Sequence, residues 1–247
     1  MSDSHTNPAP SQDQVLINYL EAHLTREHPN QEIPEAGVRN LISLRNEVTE
    51  FERLMMYYEC AMSEVQTKLE VLNKELTHVN KRNPFESIKG RIKSPSSIYD
   101  KMYRRGWDFS VSNIEKNLND VAGIRVICSF IDDIYMLRDC LIKQDDVFLI
   151  AEKDYIKNPK DNGYRSLHLI LEIPIFLTNE KRMMRVEVQF RTIAMDFWAS
   201  LEHQMKYKKD VPNSEAISEE LLYSADLINQ LDRRMIQIRD KINAPEK

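Results

Sequence analysis

The sequence predicts an α+β fold. Three observations carry this: a helical heptad-like stripe from Leu41 to Val79, a block of β-rich runs between Val121 and Thr192, and a return to helical spacing after Asp196. Its 247 residues, 42% hydrophobic and 30% charged, suffice for one core with helical arms. Five glycines and ten prolines exclude collagen-like, low-complexity and Gly-rich linker chains. No run approaches the roughly 20 apolar residues of a membrane span, and Met1 to Gln14 lacks a basic-then-apolar signal. The expectation is a cytoplasmic protein with no membrane partner. Cys60, Cys128 and Cys140 have no metal-ligand spacing and read as packed free thiols.

Taken in order, Met1 to Gln12 is a polar tail, and Val15 to Leu24 reads as a short amphipathic helix ended by the proline-bearing stretch His28 to Pro34. Leu41, Leu44, Val48, Phe51, Met55, Tyr58, Met62, Val65, Leu69, Leu72, Leu76 and Val79 then follow at alternating steps of three and four. Such a stripe suits a coiled-coil seam, a long helix laid across a domain, or two helices in register. Asn83-Pro84 ends it, because proline disfavours the α conformation in the residue before it. Ser94-Pro95 marks the next helix start, with Ser94 as N-cap and Pro95 in the first turn, running through Ile98, Met102 and Tyr103 to Gly106. Strands are expected at Ile124 to Phe130, Val147 to Ile150, Ser166 to Ile173 and Met184 to Arg191, with a helix from Asp132 to Lys143 between the first two. A helix through Trp198, Leu201 and Met205 and a last one from near Ser218 close the chain.

Charge is distributed unevenly. The formal net charge is -5, yet Lys81 to Arg105 carries eight Lys/Arg against Glu86 and Asp100, a local +6. That segment and the open amides of the helix after Ser94 suit a phosphate-bearing partner. Met184, Val186, Val188 and Phe190 alternate with Arg185, Glu187, Gln189 and Arg191, so one strand face is core and the other polar. If this strand pairs with Ser166 to Ile173, then Ser166, His168, Glu187 and Gln189 share a surface. Asp120 precedes the first strand. Two carboxylates, Asp120 and Glu187, on neighbouring strands can hold Mg²⁺ against substrate phosphates, since this hard cation takes oxygen ligands and keeps several waters. Asp before a strand is also an ordinary turn residue. In the loop Asn158 to Arg165, an exposed Tyr164 can stack on a nucleobase while Lys160 and Arg165 meet phosphates; the same ring can equally lie structurally beneath a turn. Neither a P-loop nor a Rossmann fingerprint occurs.

Five segments resemble, in order, the motifs of the RelA/SpoT-type (p)ppGpp synthetase domain: Gly90 to Ile98 (GRIKSPSSI), Asn119 to Arg125 (NDVAGIR), Asn162 to His168 (NGYRSLH), Val186 to Thr192 (VEVQFRT) and Phe197 to His203 (FWASLEH). The resemblance covers about Val48 to Lys208, and the chain length looks like that of a small alarmone synthetase. It implies a nucleotidyltransferase-like mixed sheet flanked by helices, with long N- and C-terminal helices. The domains would be a tail and helical extension at 1–47, the synthetase domain at 48–208 and an oligomerisation helix at 209–247. The implied reaction moves the β,γ-pyrophosphate of ATP to the 3′-hydroxyl of GTP or GDP, releasing AMP. By this resemblance Asp120 and Glu187 bind Mg²⁺, and Glu187 also takes the hydroxyl proton. Arg91 and Arg125 sandwich adenine; Lys93, Lys101 and Arg104 hold ATP phosphates. Tyr164 stacks on guanine, with Lys160, His168 and Gln189 lining the acceptor side. A homotetramer held by terminal helices is implied as well. Long relatives carry a hydrolase with a His-Asp motif; no His-Asp dipeptide occurs here, so hydrolysis is not expected. The same motifs would serve another acceptor, such as tRNA or an adenine nucleotide. A non-catalytic RNA-binding or scaffold protein would use the basic segment and the long stripe instead.

Overall fold

The computed structural model describes residues 35–80, 82–207 and 214–244, which form six helices and five strands. The expected helix at Val15 to Leu24, and Lys81 of the basic segment, lie outside the described residues. Contacts divide the chain after Leu54 into two units; of the first, residues 35–54 are described and are helical.

Helix α1 (Glu35–Asn80) is the long stripe as one continuous element. Its stripe is not uniformly covered. Tyr58, Val65 and Leu69 are buried, whereas Leu44, Val48 and Val79 are exposed. Strand β1 (Phe85–Ile92) follows, then α2 (Pro95–Arg104) and α3 (Val111–Asn117). Ser94 caps α2 as its position suggests, its hydroxyl accepting from the Ser97 amide at 3.3 Å, with Pro95 in the first turn. Strand β2 (Ala122–Cys128), α4 (Ile131–Ile142), β3 (Phe148–Asp154), β4 (Leu167–Phe176), β5 (Lys181–Thr192), α5 (Ile193–Tyr207) and α6 (Ser214–Ile242) complete the order.

The sheet runs β1-β2-β5-β4-β3; β2 and β5 are parallel and every other pair is antiparallel, so it is mixed. Ile124, Val126, Val188, Phe190, Leu167 and Leu169 form its buried face. Gly90 lies opposite Ile124, and a Cβ there would stand 2.7 Å from Met62 Sδ and Gln66 Nε2, which shows α1 pressed onto that face. The opposite face carries two rows that hold most of the polar side chains of the site. Register places Arg91, Gly123, Glu187 and Ile170 in one row, and Lys89, Arg125, Gln189 and His168 in the next.

Two elements were not anticipated. Strand β1 occupies the basic segment, where Lys89, Gly90 and Arg91 interrupt any apolar alternation; it forms by pairing with β2 at the sheet edge. Helix α3 has seven residues, too few for a periodic signal, and starts at its Ser110 cap. Among the described residues no helix is long and apolar enough to cross a membrane.

Candidate active site

The polar face of the sheet opens into a cavity of about 350 Å³ lined by Arg91, Lys93, Asp120, Arg125, Glu187 and Gln189, with Lys89 and Gly123 completing the floor. Its walls come from three adjacent strands and the turn before β2. That turn is held by the Lys93 amide, which donates to the Val121 carbonyl at 2.8 Å and carries the β1–β2 pairing up to Asp120.

Asp120 lies between two ammonium groups. Its Oδ2 is 2.7 Å from Lys93 Nζ and 2.7 Å from Lys101 Nζ, the latter reaching across from α2. Burial opposes its ionisation, but Lys101 and Lys93 outweigh that and hold the carboxyl below its ordinary value. The other oxygen, Oδ1, is buried with no hydrogen-bond partner among the described residues. An unpaired buried carboxylate oxygen is costly unless a cation meets it. Asp120 therefore fits Mg²⁺, which needs only one or two protein carboxylates when substrate phosphates supply the rest; Glu187 lines the same cavity.

Glu187 belongs to a closed ring of hydrogen bonds. Gln189 Nε2 donates to Glu187 Oε2 at 2.8 Å, and Glu187 Oε1 is 3.1 Å from His168 Nδ1. His168 Nε2 is 2.8 Å from the Tyr164 hydroxyl, which accepts from Arg191 Nη2 at 2.8 Å; that same nitrogen is 3.4 Å from Gln189 Oε1. A carboxylate only accepts, so His168 presents Nδ1–H to Glu187 while its Nε2 meets the Tyr164 hydroxyl. Burial works against the Glu187 charge, yet the hydrogen bonds from His168 and the Gln189 amide prevail and keep its carboxyl below the ordinary range.

The expected surface of Ser166, His168, Glu187 and Gln189 is realised except at Ser166. That side chain is fully buried, and its hydroxyl donates to the Phe190 carbonyl at 3.0 Å. Tyr164 is half-buried rather than an exposed loop tip, packed against Trp198, Ala199, Leu221 and Ala225. Lys160 Nζ lies 4.9 Å from its ring centroid and 4.8 Å from that of Tyr155. Arg165 is engaged within the chain: Nη1 donates to the Ile156 carbonyl at 3.0 Å and Nη2 pairs with Asp226 of α6 at 3.3 Å. Arg104 is exposed on α2 with Nε on the Asp100 carbonyl at 3.2 Å, and it does not line the cavity.

Three further residues join the site without having been singled out. Tyr155 meets His168 edge-on, centroids 5.3 Å apart. Arg191 is 5% exposed, and its Nη1 donates to Asp196 Oδ1 at 2.9 Å. The strand alternation flagged Arg191 as polar-facing; nothing in the sequence distinguished Asp196.

A family model described as the region found in RelA / SpoT proteins matches residues 90–211. GTP pyrophosphokinase YwaC of Bacillus subtilis is 38% identical over 211 residues, covering 85% of this chain and 100% of that one. GTP pyrophosphokinase YjbM of the same organism is 32% identical over 193 residues, covering 78% and 90%. Among solved structures, B. subtilis small alarmone synthetase 1 bound to its product pppGpp superposes with TM-score 0.72 at 31% identity, over 78% of this chain and 98% of that one. B. subtilis small alarmone synthetase 2 gives TM-score 0.70 at 41% identity, over 78% and 99%.

Proposed function

The chain belongs to the RelA/SpoT family, and from that premise we infer that it is a GTP pyrophosphokinase. It transfers the β,γ-pyrophosphate of ATP to the 3′-hydroxyl of GTP or GDP, giving (p)ppGpp and AMP. The observation that carries this reading is the shared cavity, in which Asp120 with Lys93 and Glu187 with Gln189 line the same space as Arg91 and Arg125.

In the reaction the 3′-oxygen attacks the β-phosphorus, the bond from that phosphorus to the α–β bridging oxygen breaks, and AMP departs with that oxygen. Phosphoryl-type transfer rests mainly on alignment and charge neutralisation. Lys93 and Lys101 hold the triphosphate beside Asp120, while Arg91 and Arg125 bracket the adenine from adjacent strands. Tyr164 offers its ring to guanine, Lys160 is the cation nearest that ring, and His168 and Gln189 keep the Glu187 carboxylate oriented. Glu187 accepts the proton of the 3′-hydroxyl. Asp120, through its unpartnered oxygen, and Glu187 would hold Mg²⁺, which would supply charge neutralisation at the transferred phosphates.

We assign the synthetase domain to 48–208, 1–47 to an extension and 209–247 to assembly. The exposed apolar series Tyr223, Leu227, Leu231, Met235, Ile238 and Ile242 on α6 supports a homo-oligomer, for which we propose a tetramer. A cytoplasmic location follows from the nucleotide substrates. Incubation of the purified chain with ATP, Mg²⁺ and GDP or GTP tests the function. The expected products are AMP and a guanosine nucleotide bearing a 3′-pyrophosphate; release of ADP, or transfer only to tRNA or an adenine nucleotide, overturns the reading.

A further inference from the structure

Resting on the assignment of Arg125 to the ATP side and Tyr164 to the guanine side, we propose that Asp196 is a positioning residue that couples the two nucleotide subsites through one shared carboxylate oxygen. Oδ1 of Asp196 accepts from Arg191 Nη1 at 2.9 Å and forms an ion pair with Arg125 Nη1 at 3.4 Å. Each arginine serves a different substrate. Arg125 lines the cavity floor beside Arg91, whereas Arg191 donates to the Tyr164 hydroxyl at 2.8 Å and lies 5.2 Å from its ring centroid.

The arrangement has two guanidinium charges and one carboxylate, so its charges are not balanced within the triad. Nε of Arg125 and Nε of Arg191 are both buried without a hydrogen-bond partner among the described residues. Burial and then the nearby charge of Arg191 depress the Arg125 guanidinium, and Asp196 works against both. The carboxylate cannot follow both cations. It stands in the first turn of α5, where the free amides of a helix start favour an anion, and that turn is fixed by the Thr192 hydroxyl accepting from the Met195 amide at 3.1 Å.

An adenine that draws Arg125 out over the cavity lengthens the longer of the two contacts and leaves Oδ1 to Arg191 alone. Arg191 then holds the Tyr164 hydroxyl in the ring that ends at Glu187. Donor nucleotide thereby tightens acceptor nucleotide, and by thermodynamic reciprocity the acceptor tightens the donor by the same factor. A plain structural ion pair at the start of α5 would give no such reciprocity.

Isothermal titration of the full chain with GDP, alone and with saturating AMPCPP, reads the coupling. The analogue is inert because its methylene replaces the bridging oxygen whose bond must break. Wild type is expected to bind GDP about 5-fold or more tightly in the presence of the analogue, a typical allosteric factor. Asp196→Asn is expected to reduce that ratio to about 1, with the reverse titration changing in step, and Asp196→Glu to restore it in part. Asp196→Ser gives the same comparison should the amide unfold the chain. A wild-type ratio near unity, or a ratio that survives Asp196→Asn and Asp196→Ser, overturns the coupling while leaving two independent nucleotide sites. Failure of wild type to bind either nucleotide overturns the functional reading itself.

Discussion

The hydroxyl of Tyr164 stands 2.8 Å from Nε2 of His168, so a residue suited to base stacking also orients the imidazole beside Glu187. Ring and hydroxyl thus serve different ends, and substitution separates them. Tyr164→Ala should raise KM for the guanine nucleotide by about 5- to 100-fold, the loss expected for one stacked base. Tyr164→Phe keeps the ring; it should leave KM largely intact and lower kcat by about 2- to 10-fold, the worth of one hydrogen bond. Steady-state kinetics on both variants check the split, and equal effects on KM would remove the stacking role.

Glu187→Gln preserves an acceptor for His168 but loses the charge. Turnover should fall by about 10²- to 10⁴-fold with the melting temperature little changed. Near wild-type production of AMP by this variant would place the base elsewhere.

Asp120→Asn leaves Lys93 and Lys101 without their anion and weakens the oxygen set offered to Mg²⁺. We expect the half-saturating Mg²⁺ concentration to rise by about tenfold, on the order of 1.4 kcal/mol of lost affinity. A titration of activity against Mg²⁺ in the variant and wild type measures it; an unchanged midpoint removes the ligand role.

The carboxyls divide by pH. Those of Glu187 and Asp120 are held below their ordinary values, so their stabilising contribution is present above the unfolded values and is lost as pH falls through the folded ones. Carboxylate protonation should therefore erode activity only below the ordinary carboxylate range, about pH 4. Asp232 behaves oppositely. Burial lifts its carboxyl, and the Thr192 hydroxyl at 2.7 Å only partly offsets that. Its contribution is complete below the unfolded value, about 4, and is lost as pH rises through the folded value. Asp232→Asn should raise Tm by roughly 1–3 °C at neutral pH and change it little near pH 3.5, as calorimetry would show.

Gly163 has φ +85, and a Cβ there would stand 2.6 Å from the Ala225 Cβ of α6. Gly163→Ala should cost about 2–4 kcal/mol, combining left-handed strain with overpacking. Adding Ala225→Gly should recover only the steric share. Denaturant unfolding of the single and double variants separates the two.

The parts of the fold with regular periodicity were legible in the sequence. The alternation in Met184 to Arg191 identified the strand that presents Glu187 and Gln189, and Ser94-Pro95 identified the start of α2. Strand β1 was not legible, because its pairing with β2, rather than its own pattern, makes it a strand. Arg165 shares its loop with Lys160, Gly163 and Tyr164, which suggests a phosphate contact; only the fold brings Asp226 of α6 to it. Asp196 carried no signal, since its significance comes from two arginines that are 5 and 71 positions away in the chain.

The tight fit at Gly90 ties the wall of the cavity to side chains of α1 that do not line it. With Met62 and Gln66 shaping the back of the strand that bears Arg91, a change of bulk at either position would tilt that arginine and surface as altered ATP affinity. A screen for donor-nucleotide variants should therefore include this stretch of α1 alongside the cavity wall.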